Sequence, residues 1–499
     1  MRRIVRSARR AVAVGFVAVA SVSALSWGAP RTVSAQTPAV DRTKPPTPGP
    51  APTIRVPAWT RTTLANGAQL IVSQKRDLPL VAFSINFIGG TANYEPAEKL
   101  GVASFAAQGL SEGTATMTGE QLADAQQMLG TQISVGIGSE SGSIGFTALK
   151  DKFEPALALV ADMLVNPTFP GPAIERMRGR RLVALDQEKE EPDAIAAKVF
   201  ARVTYGDTHP YGRVVTERTV GAITRDDVVA FARDYFRPGR AVITVAGDVD
   251  PEAVKTIVER ALARWPAGGS PPTFQYPALP APKNTTIYLV DKPGSAQSVF
   301  TLGHPGPARD TPDFYALQVM NNVLGTLFMS RLNANIREQK GYSYGVGSGF
   351  SYGRGPGPFE AGGGIVTEKT DSALIEFMKE LRGAQGAIPF TADEIRQGKE
   401  SLVQSLPRRF ASVAGVGTAI GGIYVQGLPE TYFRDYGGKI GAVTGGDMVR
   451  VARQHIDLAR MHIVIVGDRA KIEAPLRRTG IAPIVRLDRD GNRIIVPVP

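Results

Sequence analysis

The chain has 499 residues, 43% of them apolar and 21% charged, with 57 Lys and Arg against 46 Asp and Glu and no cysteine. Such a length and apolar content exclude a disordered or fibrous protein and supply more than one core. The formal charge of +11 is concentrated at the N-terminus: the first 35 residues hold six arginines and no acid, so that without them the net charge is +5. That is an ordinary solubility charge, and no basic run interleaved with aromatics marks a nucleic-acid surface. Without cysteine there are no disulfides, no zinc held on thiolates and no lipidated cysteine anchor.

Residues 1–35 read as an export signal. Arg2, Arg3, Arg6, Arg9 and Arg10 precede an uncharged apolar run from Ala11 to Ala29, and Val22-Ser23-Ala24 and Val33-Ser34-Ala35 offer small-residue cleavage sites. The run approaches the roughly 20 residues that span a bilayer, but its glycine and serine interruptions favour cleavage over a retained anchor. The mature protein is therefore expected in the periplasm or secreted, with no stable membrane insertion, and Arg9-Arg10 is a weak sign of twin-arginine export. Residues 36–57 are proline-rich and read as an extended tether.

From 58 to 265 the pattern mixes hairpins and helices. Asn66-Gly67 between TRTTL and AQLIV predicts a hairpin, and LPLVAFSINF a following strand. Thr118 and Gln121 form a capping-box pattern that starts a helix stopped at Gly130. QISVGIGS and GSIGFTAL read as two strands around a polar turn, followed by helices over 152–165, 172–199 with a break before Pro192, and 225–235. Residues 266–282 hold six prolines and read as a linker within 266–283.

DDVVAFARDYFRPGRAVITVAGD at 226–248 aligns without gaps on GDMVRVARQHIDLARMHIVIVGD at 446–468, an offset of 220 with eight of 23 positions identical. Each copy reads as amphipathic helix, turn, β-branched strand and Gly-Asp, so the chain is a duplicated α+β design rather than a doubly wound parallel sheet. The second copy is expected over 284–485, with 486–499 as a tail. Within it the chain alternates from Tyr342. Tyr342, Tyr344, Val346, Phe350 and Tyr352 are expected on one bulky face, and Ser343, Gly345, Gly347, Gly349 and Ser351 on a bare one. GRGPG at 353–357 then turns the chain into PFEAGGGIV. The bare face suits either an extended polypeptide lying alongside or a closely packed helix, and the spacing fits no phosphate loop.

The most telling segment is GVASFAAQGLSEGT at 101–114. It resembles the insulinase and pitrilysin family of zinc peptidases, whose corresponding helix reads roughly G-x-x-H-F-L-E-H-x-x-x-x-G-T. Gly101, Phe105, Gly113 and Thr114 match, while the two zinc-binding histidines fall on Ser104 and Gln108 and the general-base glutamate on Ala107. Histidines at i and i+4 share one helix face and grip zinc, and the carboxylate between them activates the metal-bound water. Serine and glutamine offer only neutral oxygens and alanine no base, so the resemblance implies no metal bound by this chain and no hydrolysis by it alone. The family's third ligand lands near Ala184 to Asp186, where Asp186 reads as helix surface. His209, His304, His455 and His462 contain no i, i+4 pair, and no Gly-x-Ser-x-Gly elbow or cysteine offers another mechanism.

The resemblance extends through TTLANGAQLIV, THPYGR and NNVLGTLFMSRLNANIREQKGYSYGVGSGF. In the last segment the family carries an arginine and, seven residues later, a tyrosine that face the zinc site across a chamber; here they are Arg337 and Tyr344. Guanidinium and phenol can position a substrate carbonyl and stabilise an oxyanion without hydrolysing anything. The resemblance thus implies two domains of about 200 residues arranged as a clamshell, and a non-hydrolytic subunit of an exported two-component zinc peptidase. Such a subunit would lend Arg337, Tyr344 and half of a peptide chamber to a zinc-bearing paralogue. The alternative is a peptide-binding or assembly scaffold with no part in proteolysis.

Overall fold

The computed structural model describes residues 55–280 and 282–494. The expected export signal, all but the last three residues of the 36–57 tether, and the end of the tail lie outside the described residues.

The first half builds a sheet from β1 (Trp59–Thr63), β2 (Gln69–Gln74), β3 (Leu80–Ile88), β4 (Ser134–Ile137), β5 (Ser141–Leu149) and β6 (Ala241–Gly247), in the order β1-β2-β6-β3-β5-β4. β2 and β6 run parallel and every other pair antiparallel. The expected hairpin joins β1 to β2: Gly67 takes φ +93, and the Asn66 side chain accepts from the Ala68 N–H at 3.1 Å, the turn chemistry that Asn-Gly supplies. The second half repeats the plan with β7 (Thr286–Asp291), β8 (Gln297–Pro305), β9 (Ser343–Phe350), β10 (Pro358–Val366), β11 (His462–Gly467) and β12 (Ile484–Leu487), in the order β12-β7-β11-β8-β10-β9. Here β12 lies parallel to β7 where β1 in the first sheet lies antiparallel to β2.

The internal repeat is visible down to its caps. Thr224 and Thr444 each accept from the N–H of an aspartate three residues on, at 3.2 and 3.1 Å, and Asp227 and Asp447 return the bond to the threonine N–H at 2.8 and 2.9 Å. These reciprocal caps start the helices Arg225–Tyr235 and Gly445–His455. The strands that follow, β6 and β11, are buried at every position, which explains their unbroken β-branched runs beside a parallel neighbour. The Thr118 box, the break before Pro192 and the paired strands β4 and β5 also form as expected.

Each sheet packs one face on helices of its own half and the other on a helix from the opposite half. Pro192–Tyr205 lays Ile195, Ala196, Val199 and Phe200 against Val290, Val299, Val464 and Val466 of the second sheet. In return Val413–Val425 lays Val416, Ile420 and Ile423 against Ile71, Val242 and Ala246 of the first. Close approach there depends on Gly421, where a Cβ would stand 3.0 Å from the Thr244 methyl.

A carboxylate ties the halves at one end. Glu140, in the β4–β5 turn, accepts from the Tyr211 hydroxyl, from the Tyr276 hydroxyl at 2.8 Å, and from the Arg354 and Gly355 N–H groups of the β9–β10 turn at 2.6 and 2.9 Å. Tyr276 belongs to 266–280, a stretch with no helix or strand, and its ring stacks on His209. Hydrogen bonds to a charged group contribute about 1.5–3 kcal/mol each, partly offset when water replaces them, so Glu140→Ala is expected to cost about 2–4 kcal/mol. Urea unfolding of the two proteins measures this, and a difference below about 0.5 kcal/mol, the scale of an inconsequential surface change, would show that the contact is incidental.

Candidate functional site

The segment 101–114 forms the helix Val102–Gly109 as its resemblance implies. Gly101 takes φ +106 at the N-cap, and Glu95 reaches back to accept from the Gly101 and Ala103 N–H groups at 2.8 and 3.0 Å. This carboxylate satisfies two of the orphan donors at the helix start; burial raises its pKa against the lowering effect of the two bonds. Val102, Phe105, Ala106 and Gly109 face inward, and the helix packs on Arg225–Tyr235 and on β4. Gly109 is required because a Cβ would lie 2.6 Å from the Phe169 ring.

Ser104 and Gln108 stand on the exposed side of this helix and bond to each other, Gln108 Nε2 donating to Ser104 Oγ at 2.9 Å. Ala107 is buried. Asp186, on the helix Gly171–Glu188, is 84% exposed in its side chain and pairs with Lys189 at 3.7 Å. A zinc ion needs imidazole, thiolate or carboxylate donors converging on one point. Two neutral groups that satisfy each other, an alanine and a solvated aspartate do not fit that requirement.

Arg337 and Tyr344 lie on adjoining elements of the second half. Arg337 is in a π-helical turn, Asn333–Gln339, and Tyr344 near the start of β9. The Arg337 guanidinium stacks over Phe328 at 4.3 Å and pairs with Glu338 at 3.3 Å. Tyr344 is 87% exposed, and Phe328 and Met329 are also exposed. Asn333 links the two elements, its side-chain oxygen accepting from the Val346 N–H at 2.9 Å. Each half thus sets a helical turn beside the outermost strand of its own sheet: Ser104 and Gln108 near β4, Arg337 near β9. Among the described residues no hydrogen bond or ion pair joins the two sets.

The expected alternation along β9 fails at its start. Val346 pairs with Gly363 and Ser343 with Ile365, so three steps on β9 oppose two on β10. This is a β-bulge, and one extra residue reverses the facing of everything before it. Tyr344 therefore points to solvent while Val346, expected on the same face, is buried. The bare face is also only partly open. A Cβ at Gly345 or Gly349 would meet nothing, but one at Gly347 would lie 3.0 Å from the Gly325 carbonyl.

Between the Pro192–Tyr205 helix and the second sheet is a cavity of about 340 Å³, lined among others by Phe200, Tyr205, Tyr211, Phe300 and Glu360. Water reaches Glu360, yet the surrounding protein raises its carboxyl pKa by desolvation. The same cause raises the Tyr205 phenol, which donates to the Pro356 carbonyl at 2.8 Å.

Comparison with known proteins adds family membership. Residues 75–213 match the family model for Insulinase (Peptidase family M16), and residues 222–402 match that for the Peptidase M16 inactive domain. Together these segments cover more than half of the chain. The chain belongs to the insulinase family, peptidase family M16. The M16 inactive-domain match includes Arg337 and Tyr344, and the insulinase match includes Ser104, Ala107 and Gln108. An uncharacterized zinc protease of Bacillus subtilis, YmxG, is 26% identical over 348 residues, 69% of this chain and 83% of that protein. An uncharacterized zinc protease of Mycobacterium leprae is 28% identical over 291 residues, covering 57% of this chain and 64% of its own length. The M16 inactive domain from Pseudomonas fluorescens superposes with a TM-score of 0.75 at 26% identity, over 82% of this chain and 98% of that one. The periplasmic protease PqqL of Escherichia coli shares the fold, with a TM-score of 0.69 at 16% identity over 83% of this chain; the match spans 46% of PqqL. The two-domain M16 clamshell fold is therefore established for this chain.

Several residues that shape the two candidate segments and the seam between the halves carried no recognisable sequence signal. Glu95 caps from outside its helix, and Glu140 works through partners distant in sequence. Asn333 and Ser343 lie inside a matched motif, but only the bulge shows what they do.

The histidines are structural groups. His209 and His304 are buried, and His455 bonds Asp313 at 2.7 Å. His462 is buried on β11 with neither ring nitrogen hydrogen-bonded among the described residues, and desolvation lowers its pKa from 6.5 to about 4. Above pH 6.5 the ring is neutral in both folded and unfolded chains. As the pH falls from 6.5 towards 4, the unfolded chain takes up a proton that the folded chain refuses, so stability declines across that window. The full effect is on the order of 3 kcal/mol. His462→Phe is expected to flatten the loss of urea stability between pH 7 and pH 5, and an unchanged slope would place the titration elsewhere.

Proposed function

We infer that this chain is a non-hydrolytic subunit of an exported two-component zinc peptidase. It lends Arg337 and Tyr344 and half of a peptide chamber to a partner that carries the His-x-x-Glu-His helix and the zinc. The observation that carries this reading is the presentation of Tyr344, 87% exposed and without a hydrogen bond among the described residues, beside an arginine held against an exposed phenylalanine. A catalytic phenol and guanidinium that serve their own chain would be expected to face its own metal helix. Here that helix has lost its donors, and its polar side chains satisfy each other. In the partner's site the two groups would donate hydrogen bonds to the scissile carbonyl and to the oxyanion formed when water attacks. The periplasmic neighbour PqqL and the charged, apolar N-terminus support an exported location.

The purified chain is expected to carry no stoichiometric zinc by elemental analysis and to leave peptides uncleaved. Mixed with a zinc-motif paralogue it is expected to form a heterodimer with peptidase activity, and Arg337→Ala or Tyr344→Phe in this chain should lower kcat by about 10²–10³-fold. An active mixture indifferent to both replacements would favour the scaffold reading.

A further inference from the structure

The bulge in β9 does more than break an alternation, because it decides where Tyr344 points. In an unbulged strand Tyr344 and Val346 would share a face. Val346 is 6% exposed and belongs to the core of the second half, so a regular β9 would drive the phenol towards that core. With one residue inserted, Ser343 takes the inward position at 8% exposure and Tyr344 turns out.

Three groups maintain this arrangement. The Ser343 hydroxyl donates to the Gly364 carbonyl at 2.6 Å and accepts from the Gly345 N–H at 3.0 Å, closing the gap that the inserted residue opens in the ladder. Gly363, opposite, takes φ +150, and a Cβ there would stand 2.6 Å from the Gly345 carbonyl oxygen. Asn333 fastens the next residue, Val346, to the π-helical turn that carries Arg337. Bulges and π-helical turns each shift a side chain by one position without rebuilding the surrounding element. Here one of each stands on either side of the same hydrogen bond.

We propose that Ser343 is a positioning residue for the Arg337–Tyr344 pair: its hydroxyl holds the β9 bulge that aims Tyr344 outward, while Asn333 sets the strand's distance from Arg337. The consequence for catalysis rests on the function proposed above, whereas the orientation of Tyr344 is a property of this chain alone. The two are therefore tested by separate readouts on the same variants, Ser343→Ala, which removes the hydroxyl, and Gly363→Ala, which disturbs the bulge from the opposite strand.

In the full chain by itself, nitration of Tyr344 by tetranitromethane, read by mass spectrometry against Tyr424, is expected to fall about threefold or more in both variants as the strand reverts towards regular pairing. Thermal melts of the same samples establish that they are folded. In the reconstituted peptidase both variants are expected to lower kcat about tenfold, with KM within about twofold, the split expected when an aligned group is lost but the peptide still binds. Wild-type nitration of Tyr344 in both folded variants would overturn the positioning role. Reduced nitration with undiminished kcat would uphold the orientation by Ser343 and refute the use of Tyr344 by the partner.

Discussion

The exchange of one helix between the two halves constrains everything else in the molecule. A six-stranded sheet with β-branched residues on both faces cannot leave either face in water, and each half keeps helices enough for one face only. The second face of each sheet is closed by Pro192–Tyr205 in one direction and Val413–Val425 in the other. Full burial of an aliphatic or aromatic side chain is worth about 1.5–3 kcal/mol, so Ile195, Val199, Phe200, Val416, Ile420 and Ile423 together represent roughly 10 kcal/mol or more at this seam. Neither half can depart without exposing the other's sheet. The halves therefore behave as one structural unit, with Glu140 and Tyr276 closing the end where the Gly-rich turn approaches the β4–β5 turn.

Much of this was legible wherever the signal was local or periodic. Asn66-Gly67 announced its hairpin because few residue pairs tolerate that turn, and the threonine-led cap at 118 marks a helix start by chemistry confined to four residues; the matching caps at 224 and 444 emerged only in the structure. The repeat at an offset of 220 disclosed the duplication, although the parallel strand pair in each sheet, β2 with β6 and β7 with β11, was not read from it. The exchange of helices was not legible. Val413–Val425 is apolar nearly all round, which says that it is buried but not on which sheet, and the Gly421 contact with Thr244 depends on a pairing distant in sequence. Glu140 was missed for the same reason: its four donors come from three separate stretches of chain.

The failure at β9 has a different cause. Counting alternate residues assumes one residue per step on both strands, and a single insertion inverts the result upstream of it. Gly363 was the available clue, since a glycine at positive φ opposite a strand start is one way to make room for a bulge. It was hidden among three consecutive glycines, two of which need no such conformation. The resemblance to the insulinase and pitrilysin family pointed to Arg337 and Tyr344 as candidate residues, but neither it nor the residue pattern gave their geometry.

Duplication also gives the two candidate sets a common logic. Both occupy a helical turn beside the outermost strand of their sheet, so each half offers one place where polar side chains can be displayed at the edge of the fold. In the first half that place holds Ser104 and Gln108, which form a closed pair, over a buried alanine. In the second it holds a cation and a phenol, and Phe328, Met329 and Tyr344 leave apolar surface uncovered around them. Exposed aromatic and methionine side chains gain nothing in a free subunit, and contiguous apolar exposure marks surfaces that become covered. If the proposed division of labour holds, the asymmetry follows from it. A half-site that completes itself can close its hydrogen bonds internally, whereas one that completes another chain must keep its donors outward and hold them there by backbone devices. The bulge beside Ser343 and the π-helical turn around Arg337 are devices of that kind, because they fix orientation without requiring contact from the side the partner would occupy.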